Sequence, residues 1–236
     1  MFSSTMLRSV ARVVALGATV AAVQLAAPAA NANPYPNSVP TVTNLTLTNN
    51  MAQFGTRTRA TVTVKPAGNA NGTPRGRIRL VIHGVKTMSS RLSNGRTAFT
   101  LPRRALVAEN TYGLKAFYIR GQGSKWMNSE DSAFYSVSKA NTIAKTEAGN
   151  IKAHRRPLVS VNVRSSTGLT PNGRVRFQIL KHGDVRGTRT VSLHNGRASV
   201  KFGKVHARGR WVAKATYLGA HNFERDADTN PFRVTR

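Results

Sequence analysis

The ten residues Thr170–Ile179, TPNGRVRFQI, decide the fold, because nearly the same phrase, TPRGRIRLVI, lies 97 residues earlier at Thr73–Ile82. After the glycine of each stretch, arginine alternates twice with an apolar residue, and a third apolar residue follows two positions later. Such alternation is the pattern of a β-strand that buries one of its faces. The Pro-x-Gly before each run predicts the turn from which the strand starts.

Two more blocks recur in the same order, which extends the repeat over most of the chain. LSNGRTAF at 92–99 is matched by LHNGRASV at 193–200, and KAFY at 115–118 is matched by KATY at 214–217. The three offsets are 97, 101 and 99 residues, which small changes in loop length explain. We therefore predict two tandem domains, copy one at 41–139 and copy two at 140–236, after a linker at 33–40.

Alternation inside each copy predicts six to seven short strands and no helix. The residues with this spacing are Ala60, Val62, Val64, Ile78, Leu80, Ile82, Leu114, Ala116 and Tyr118 in copy one, and Val159, Val161, Val163, Val175, Phe177, Ile179, Ala213, Ala215 and Tyr217 in copy two. Asn-Gly pairs at 71–72, 94–95, 172–173 and 195–196 mark the turns. Short alternating strands with such turns predict an all-β fold built as antiparallel β-sandwiches.

Copy two carries three motifs in the order P-x-G-x-V-x-F, L-x-x-G-x-A and A-x-Y-x-G-x-x-N-F. Their residues are Pro171, Gly173, Val175, Phe177, Leu193, Gly196, Ala198, Ala215, Tyr217, Gly219, Asn222 and Phe223. This order resembles the bacterial immunoglobulin-like domain of group 3, a module that occurs in repeats on exported bacterial proteins. The resemblance implies two tandem immunoglobulin-like sandwiches, and it implies little about chemistry. Copy one departs from the pattern at Leu80, at Thr97 and in the loop GQGSKW at 121–126.

The first 32 residues have the three-part layout of a secretory signal peptide. Arg8 and Arg12 form a basic start, Val13–Ala27 is apolar apart from two polar residues, and Ala30-Asn31-Ala32 is a cleavage site of the small-x-small type. The alternative is a membrane anchor, but the apolar run is short for a span of about 20 residues. We therefore expect a secreted, extracellular protein without a transmembrane segment in its mature chain.

The charge of the chain is strongly unbalanced. It has 36 lysines and arginines against eight acids, for a net charge of +28, and it has no cysteine. Strands C, F and G of an immunoglobulin-like sandwich share one sheet, so we expect a basic face on that sheet in each copy. The candidate polyanion-binding residues are Arg77, Arg79 and Lys115 in copy one, and Arg174, Arg176 and Lys214 in copy two.

Two interpretations of these cations stay open at this point. The first is a solvated face, because like charge keeps an exported protein soluble. The second is a negatively charged partner, since arginine matches the geometry of phosphate and carboxylate groups and the imbalance exceeds what solubility needs. Binding of this kind would be blind to sequence and steeply salt-dependent, and no motif for specific nucleic-acid readout is visible.

Catalytic and metal sites have little support in the sequence. The six histidines show no metal-ligand spacing, no nucleophile motif of the G-x-S-x-G or S-x-x-K type occurs, and without cysteine no thiolate chemistry is possible. Glu224, Asp226 and Asp228 alternate and could ligate Ca²⁺, or they could simply offset the surrounding arginines. We therefore predict a protein without cofactor, resident metal or enzymatic activity.

The leading hypothesis is a cell-surface or wall-associated binding or structural module that contacts anionic polymers of the cell envelope. The alternative is a freely secreted cationic binder of DNA, phospholipid or acidic polysaccharide, which the lack of a sorting motif favours. A third interpretation is a spacer similar to the repeats of larger adhesins. The sequence does not indicate an oligomeric state.

Overall fold

The computed structural model describes residues 38–236, so the predicted signal peptide at 1–32 and most of the linker at 33–40 lie outside the described residues. Within the described part, all regular secondary structure is β-strand, and sixteen strands follow one another along the chain. No helix in this part is long and apolar enough to cross a membrane. The predicted all-β fold is confirmed.

Copy one is a sandwich of a three-stranded and a five-stranded sheet. Its strands are β1 (Thr41–Leu47), β2 (Met51–Gln53), β3 (Arg59–Pro66), β4 (Gly76–Ile82), β5 (Lys86–Arg91), β6 (Arg96–Thr100), β7 (Asn110–Arg120) and β8 (Ser129–Ser138). The smaller sheet has the order β1-β3-β6, and the larger has the order β2-β8-β7-β4-β5. All pairs are antiparallel except β2 with β8.

Copy two repeats this arrangement strand for strand. Its strands are β9 (Thr142–Ala148), β10 (Ile151–Lys152), β11 (Leu158–Ser165), β12 (Arg174–Lys181), β13 (Asp184–Ser192), β14 (Arg197–Lys201), β15 (Gly209–Tyr217) and β16 (Asp226–Thr235). The sheets have the orders β14-β11-β9 and β10-β16-β15-β12-β13, and β10 with β16 is the parallel pair. Two tandem immunoglobulin-like sandwiches therefore account for the described chain, while the exact boundaries at 139 and 140 stay a prediction.

The alternating apolar residues form the core of each sandwich. Ile78, Leu80 and Ile82 on β4 are at most 1% exposed, and the matching Val175 and Phe177 on β12 are fully buried. Burial of one such side chain stabilises the fold by about 1.5–3 kcal/mol. The same alternation turns the intervening arginines outward, and this orientation positions the candidate site.

A buried tyrosine holds the turn that precedes the repeated strand in each copy. The Tyr118 hydroxyl donates to the Arg75 carbonyl oxygen at 2.8 Å, and the Tyr217 hydroxyl donates in the same way to Asn172. Burial raises the pKa of the Tyr217 phenol to about 12. Burial also raises the pKa of Tyr118, although Ser124 and Arg120 oppose that rise.

Each copy has eight strands, where the sequence predicted six to seven. β2 and β10 are three and two residues long, and β5 and β13 are edge strands next to β4 and β12. Every residue of β5 and β13 is either exposed or half-buried. The inward faces of these edge strands are only half-buried and hold few apolar residues, such as Met88 and Val191. Their sequences therefore lack the apolar period on which the prediction depends.

The two sandwiches touch through the loop that ends the third motif of copy two. The side-chain oxygen of Asn222 accepts a hydrogen bond from the Ala108 amide at 2.8 Å. The Phe223 ring packs edge-on against Phe54 of copy one, with the ring centroids 5.5 Å apart. Asn222 and Phe223 of the third motif therefore form part of the contact between the two copies.

Candidate anion-binding surface

The outward surface of the β8-β7-β4-β5 sheet, which we name the first basic face, is organised around one aromatic ring. Phe117 on β7 lies directly opposite Arg79 on β4. The Arg79 guanidinium carbon is 4.9 Å and the Lys115 ammonium nitrogen 5.1 Å from the centre of the Phe117 ring. Cations at such distances from a ring face are attracted by its negative centre, so the ring holds both side chains on the surface.

Lys115 has a second contact, which the sequence did not indicate. Its ammonium nitrogen lies 2.6 Å from a carboxylate oxygen of Glu130 on β8, and both side chains are about half exposed. Lys115 is therefore partly neutralised, while Arg77 and Arg79 form no ion pair with any described acid.

The second basic face is the outward surface of the β16-β15-β12-β13 sheet in copy two. Arg174 and Arg176 are exposed on β12, and Lys214 on β15 is half-buried between Gln178 and Thr229 on its neighbouring strands. None of the three cations forms an ion pair within the described part of the chain. This face therefore presents its positive charge without the aromatic ring and without the acid found in copy one.

The six predicted residues are thus distributed over two faces, three on each. Further cations lie on the three-stranded sheets: Arg96 on β6, and Arg197 and Lys201 on β14. Charge is concentrated on the larger sheets without being confined to them.

Sequence reasoning missed Arg91 and Arg75. Arg91 ends β5 and lies directly opposite Arg77, while Arg75 lies in the Pro-x-Gly turn before β4. Arg91 was missed because its strand lacks an apolar period. Arg75 was missed because the residues of the turn were used only to mark where the strand begins. Trp126 is only 6% exposed and Lys125 lies over its ring, so its indole is not available to stack on a partner.

Three of the acids that could have neutralised these faces are used to join the two sheets of each sandwich. Backbone amides of the first strand in each copy donate to carboxylates on the last strand. The pairs are Leu45 with Asp131 at 2.7 Å, Ala144 with Asp226 at 2.7 Å, and Thr146 with Asp228 at 2.6 Å. Asp226 and Asp228 thus have structural partners, and residues 38–236 contain no group of three or more histidines or acids that could hold a metal ion.

The remaining acids leave most of the basic charge without a partner. Residues 1–37 contain two of the 36 cations and none of the eight acids, so residues 38–236 carry a net charge of +26. Within this part of the chain only three ion pairs form: Lys115–Glu130, Lys139–Glu109 and Arg186–Asp184. Arg77, Arg79, Arg174 and Arg176 are not in these pairs and are therefore free to contact an anion from outside.

No protein-family model matches the sequence, and it has no match among curated proteins. Solved structures similar to this chain include a tetra-tandem repeat from the extending region of a large adhesion protein. The two sequences are 13% identical, the match covers 82% of this chain and 50% of that chain, and the TM-score is 0.45. A segment of two fibronectin type III domains from chicken tenascin has 12% identity, coverage of 81% and 98%, and a TM-score of 0.39. The D0–D1 domain of intimin has 17% identity, coverage of 83% and 100%, and a TM-score of 0.31.

This chain therefore spans half the length of the first of these structures. Because all three TM-scores lie below 0.5 and all identities lie below 25%, we draw no conclusion about function from them. The resemblance to the bacterial immunoglobulin-like domain of group 3 has no matching family model and stays a prediction.

Proposed function

We propose that this protein is a non-catalytic exported module of two immunoglobulin-like domains that binds anionic polymers through its two basic faces. The polymers are those of the cell envelope, which would make the protein wall-associated. Membership of the group 3 family and secretion rest on the sequence motifs and on the predicted signal peptide.

One observation carries the proposal: the paired arginines at 77 and 79, and at 174 and 176, are exposed and lack acidic partners among the described residues. The two arginines of each pair lie two positions apart on one strand, so their like charges repel, and an anion between them would remove that repulsion. Arginine forks donate to phosphate, sulfate and carboxylate oxygens in a matching geometry. Both copies keep the arginines although their outward positions are free to hold any soluble residue.

The direct test replaces Arg77, Arg79, Arg174 and Arg176 with glutamate and measures binding to heparin, a sulfated polysaccharide, at several salt concentrations. A matched control makes the same charge change at four exposed arginines outside the basic faces: Arg57, Arg59, Arg156 and Arg164. We expect the first variant to bind far more weakly than the control, because the contacts lie on the basic faces. Its dependence on salt should also decrease, by about one unit of slope for each lost contact.

Equal loss in the two variants would show that only total charge matters, and it would overturn the assignment to the basic faces. Unfolding curves of both variants are needed beside the binding curves, so that loss of fold is not taken for loss of contact.

The location of the protein is tested separately, by fractionating the native culture and washing the cells with increasing salt. Retention at low salt and release at high salt would show that charge holds the protein at the envelope. Presence in the medium at every salt concentration would contradict wall association and favour a freely secreted binder.

A further inference from the structure

A concavity of about 580 Å³ lies at the start of β4 in copy one and is lined by three arginines. They are Arg75 from the turn before β4, Arg77 from β4 itself and Arg91 from the end of β5. Ser93 and Asn94 add polar groups to the same wall, and no acidic residue is among the lining residues.

The arrangement of these arginines is unfavourable for the protein alone. Arg77 and Arg91 are direct partners across the β4–β5 pair, which places their Cβ atoms about 4.5–5.5 Å apart. Like charges opposite each other on antiparallel strands repel, and Arg75 adds a third positive charge to the same concavity. An anion held between the three guanidinium groups would remove this repulsion.

The backbone beneath the arginines is well anchored. Tyr118 donates to the carbonyl of Arg75 at 2.8 Å, and the Leu92 amide donates to the carbonyl of Gly76 at 2.9 Å. Gly76 has φ of 155°, and a Cβ there would lie 2.4 Å from the carbonyl oxygen of Ile119. The turn that carries Arg75 is therefore packed directly against β7, which lowers the cost of ordering the site around a ligand.

Copy two has the same backbone at this place but different side chains. Leu193 donates to the carbonyl of Gly173 at 2.8 Å, as Leu92 does to Gly76. The residues that correspond to Arg75, Arg77 and Arg91 are Asn172, Arg174 and Ser192. Arg174 and Ser192 line a wider groove that extends over the three-stranded sheet, where Glu147 lies among the cations Lys145 and Arg197. Copy two is therefore a natural counterpart that lacks the arginines equivalent to Arg75 and Arg91 and has an acid in its groove.

We propose that the cluster of Arg75, Arg77 and Arg91 is a binding site for a phosphate monoester group. Three guanidinium groups without an acid suit an anion of more than one charge, and a phosphate monoester carries about −1.5 to −2 at pH 7. A carboxylate carries only one negative charge and would leave two arginines unneutralised. The inference rests on the proposed function in sharing Arg77, and it adds a defined site and ligand chemistry to it.

The experiment follows backbone amide signals by NMR while the protein is titrated with glycerol phosphate. Acetate at matched ionic strength is the comparison. We expect saturable shifts at Leu92, Ser93 and Asn94 for glycerol phosphate and much smaller ones for acetate. The corresponding amides of copy two, Leu193, His194 and Asn195, should not show saturable shifts. Equal shifts in both copies, or equal effects of both anions, would overturn the proposal.

Residues exchanged between the copies give a matched pair of variants. Arg75→Asn with Arg91→Ser gives copy one the side chains of copy two, and should weaken binding roughly tenfold for each arginine removed. Asn172→Arg with Ser192→Arg should create the site in copy two. Since each new side chain occurs at the same backbone position in the other copy, misfolding is not expected, and unchanged unfolding curves will verify this.

The outcomes separate this inference from the proposed function. Heparin binding without glycerol phosphate binding would overturn the site and leave the proposed function standing, while the reverse would do the opposite. Vesicles that contain phosphatidic acid, tested against the same variants, distinguish the source of the phosphate group. Binding that depends on Arg75 and Arg91 would identify a lipid surface as one source, whereas binding of soluble glycerol phosphate alone would point to a phosphorylated polymer or metabolite.

Discussion

The two copies bury equivalent residues but differ on their outward surfaces. Leu80 and Phe177 occupy the same core position, and Tyr118 and Tyr217 anchor the same turn. On the outside, copy one surrounds an aromatic ring with cations and one acid, while copy two presents its cations without either. The repeat thus retained what packs the sandwich and varied what meets solvent, yet both copies kept two outward arginines on the repeated strand.

The link between the two sheets of each sandwich also differs. In copy one a single carboxylate, Asp131, accepts from the first strand, and the Ser129 hydroxyl is hydrogen-bonded to the hydroxyls of Thr41 and Thr43. In copy two both equivalent positions are aspartates, and each accepts from a backbone amide. Two charge-assisted bonds should hold the first strand of copy two more firmly.

The largest effect is expected from truncating the core residue that differs between the copies. Phe177→Ala should lower the free energy of unfolding of copy two by about 3–5 kcal/mol, and Leu80→Ala that of copy one by about 2–5 kcal/mol. Each copy contains one of the two tryptophans, Trp126 in copy one and Trp211 in copy two. Fluorescence during denaturation of single-tryptophan variants therefore reports each copy separately.

In these single-tryptophan variants, Phe177→Ala should lower the denaturation midpoint reported by Trp211 and leave the midpoint reported by Trp126 unchanged. If the transition reported by Trp126 moves equally, the contact through Asn222 and Phe223 unfolds with both sandwiches, and the copies form one cooperative unit.

The next largest effect concerns the acids that join the sheets. Asp131→Ala removes a charged acceptor from the Leu45 amide and should cost copy one about 1.5–3 kcal/mol. Asp226→Ala should cost copy two less, because Asp228 still holds the first strand. The two costs are compared by hydrogen exchange of the Leu45 amide in the Asp131→Ala variant and of the Ala144 amide in the Asp226→Ala variant. Faster exchange at Ala144 than at Leu45 would reverse the expected order.

How far the sequence predicts the molecule depends on whether a feature leaves an apolar period. Strands such as β4 and β12 were predicted because their buried residues are apolar and alternate, whereas the half-buried inward face of β5 has only Met88 as an apolar residue. Arg91 was missed as a site residue because β5 itself was not predicted. The contact of Lys115 with Glu130 was also missed, because it depends on the register of β7 against β8, which no local pattern shows.

The two buried tyrosines should respond differently to alkaline pH. The pKa of Tyr217 is raised to about 12 from an ordinary value of 10.0, so the folded state favours the protonated phenol. Its contribution to stability is therefore complete below about pH 10 and is lost as the pH rises through about 12. Tyr118 should ionise at a lower pH than Tyr217, because Ser124 and Arg120 act against the rise in its pKa.

Absorbance titration of the phenolate in Tyr217→Phe and Tyr118→Phe variants identifies each group. The Tyr217→Phe variant should lose about 0.5–1.5 kcal/mol at neutral pH, because the bond to Asn172 is removed, and the stability of copy two should then fall less between pH 10 and 12. An unchanged fall in that range would show that another group governs alkaline unfolding.

The changes with the smallest expected effect on stability, at Glu130 and Ala227, should still alter binding measurably. Lys115 and Glu130 are about half exposed, so their ion pair contributes at most about 1 kcal/mol to copy one. The position of Glu130, opposite Phe117, corresponds to Ala227, opposite Thr216, in copy two. Glu130→Ala should free Lys115 and strengthen heparin binding at low salt, while Ala227→Glu should place an acid near Lys214 and weaken it.

Both exchanges use side chains that the other copy already accommodates, so the unfolding curves should change little. If binding follows the order Glu130→Ala, unchanged protein, Ala227→Glu, the two lysines belong to the binding surface and the acid of copy one tunes its strength. If neither exchange changes binding while reversal of the four arginines abolishes it, the surface consists of arginines alone. In that case Lys115 serves mainly to hold Phe117 and Glu130 in place.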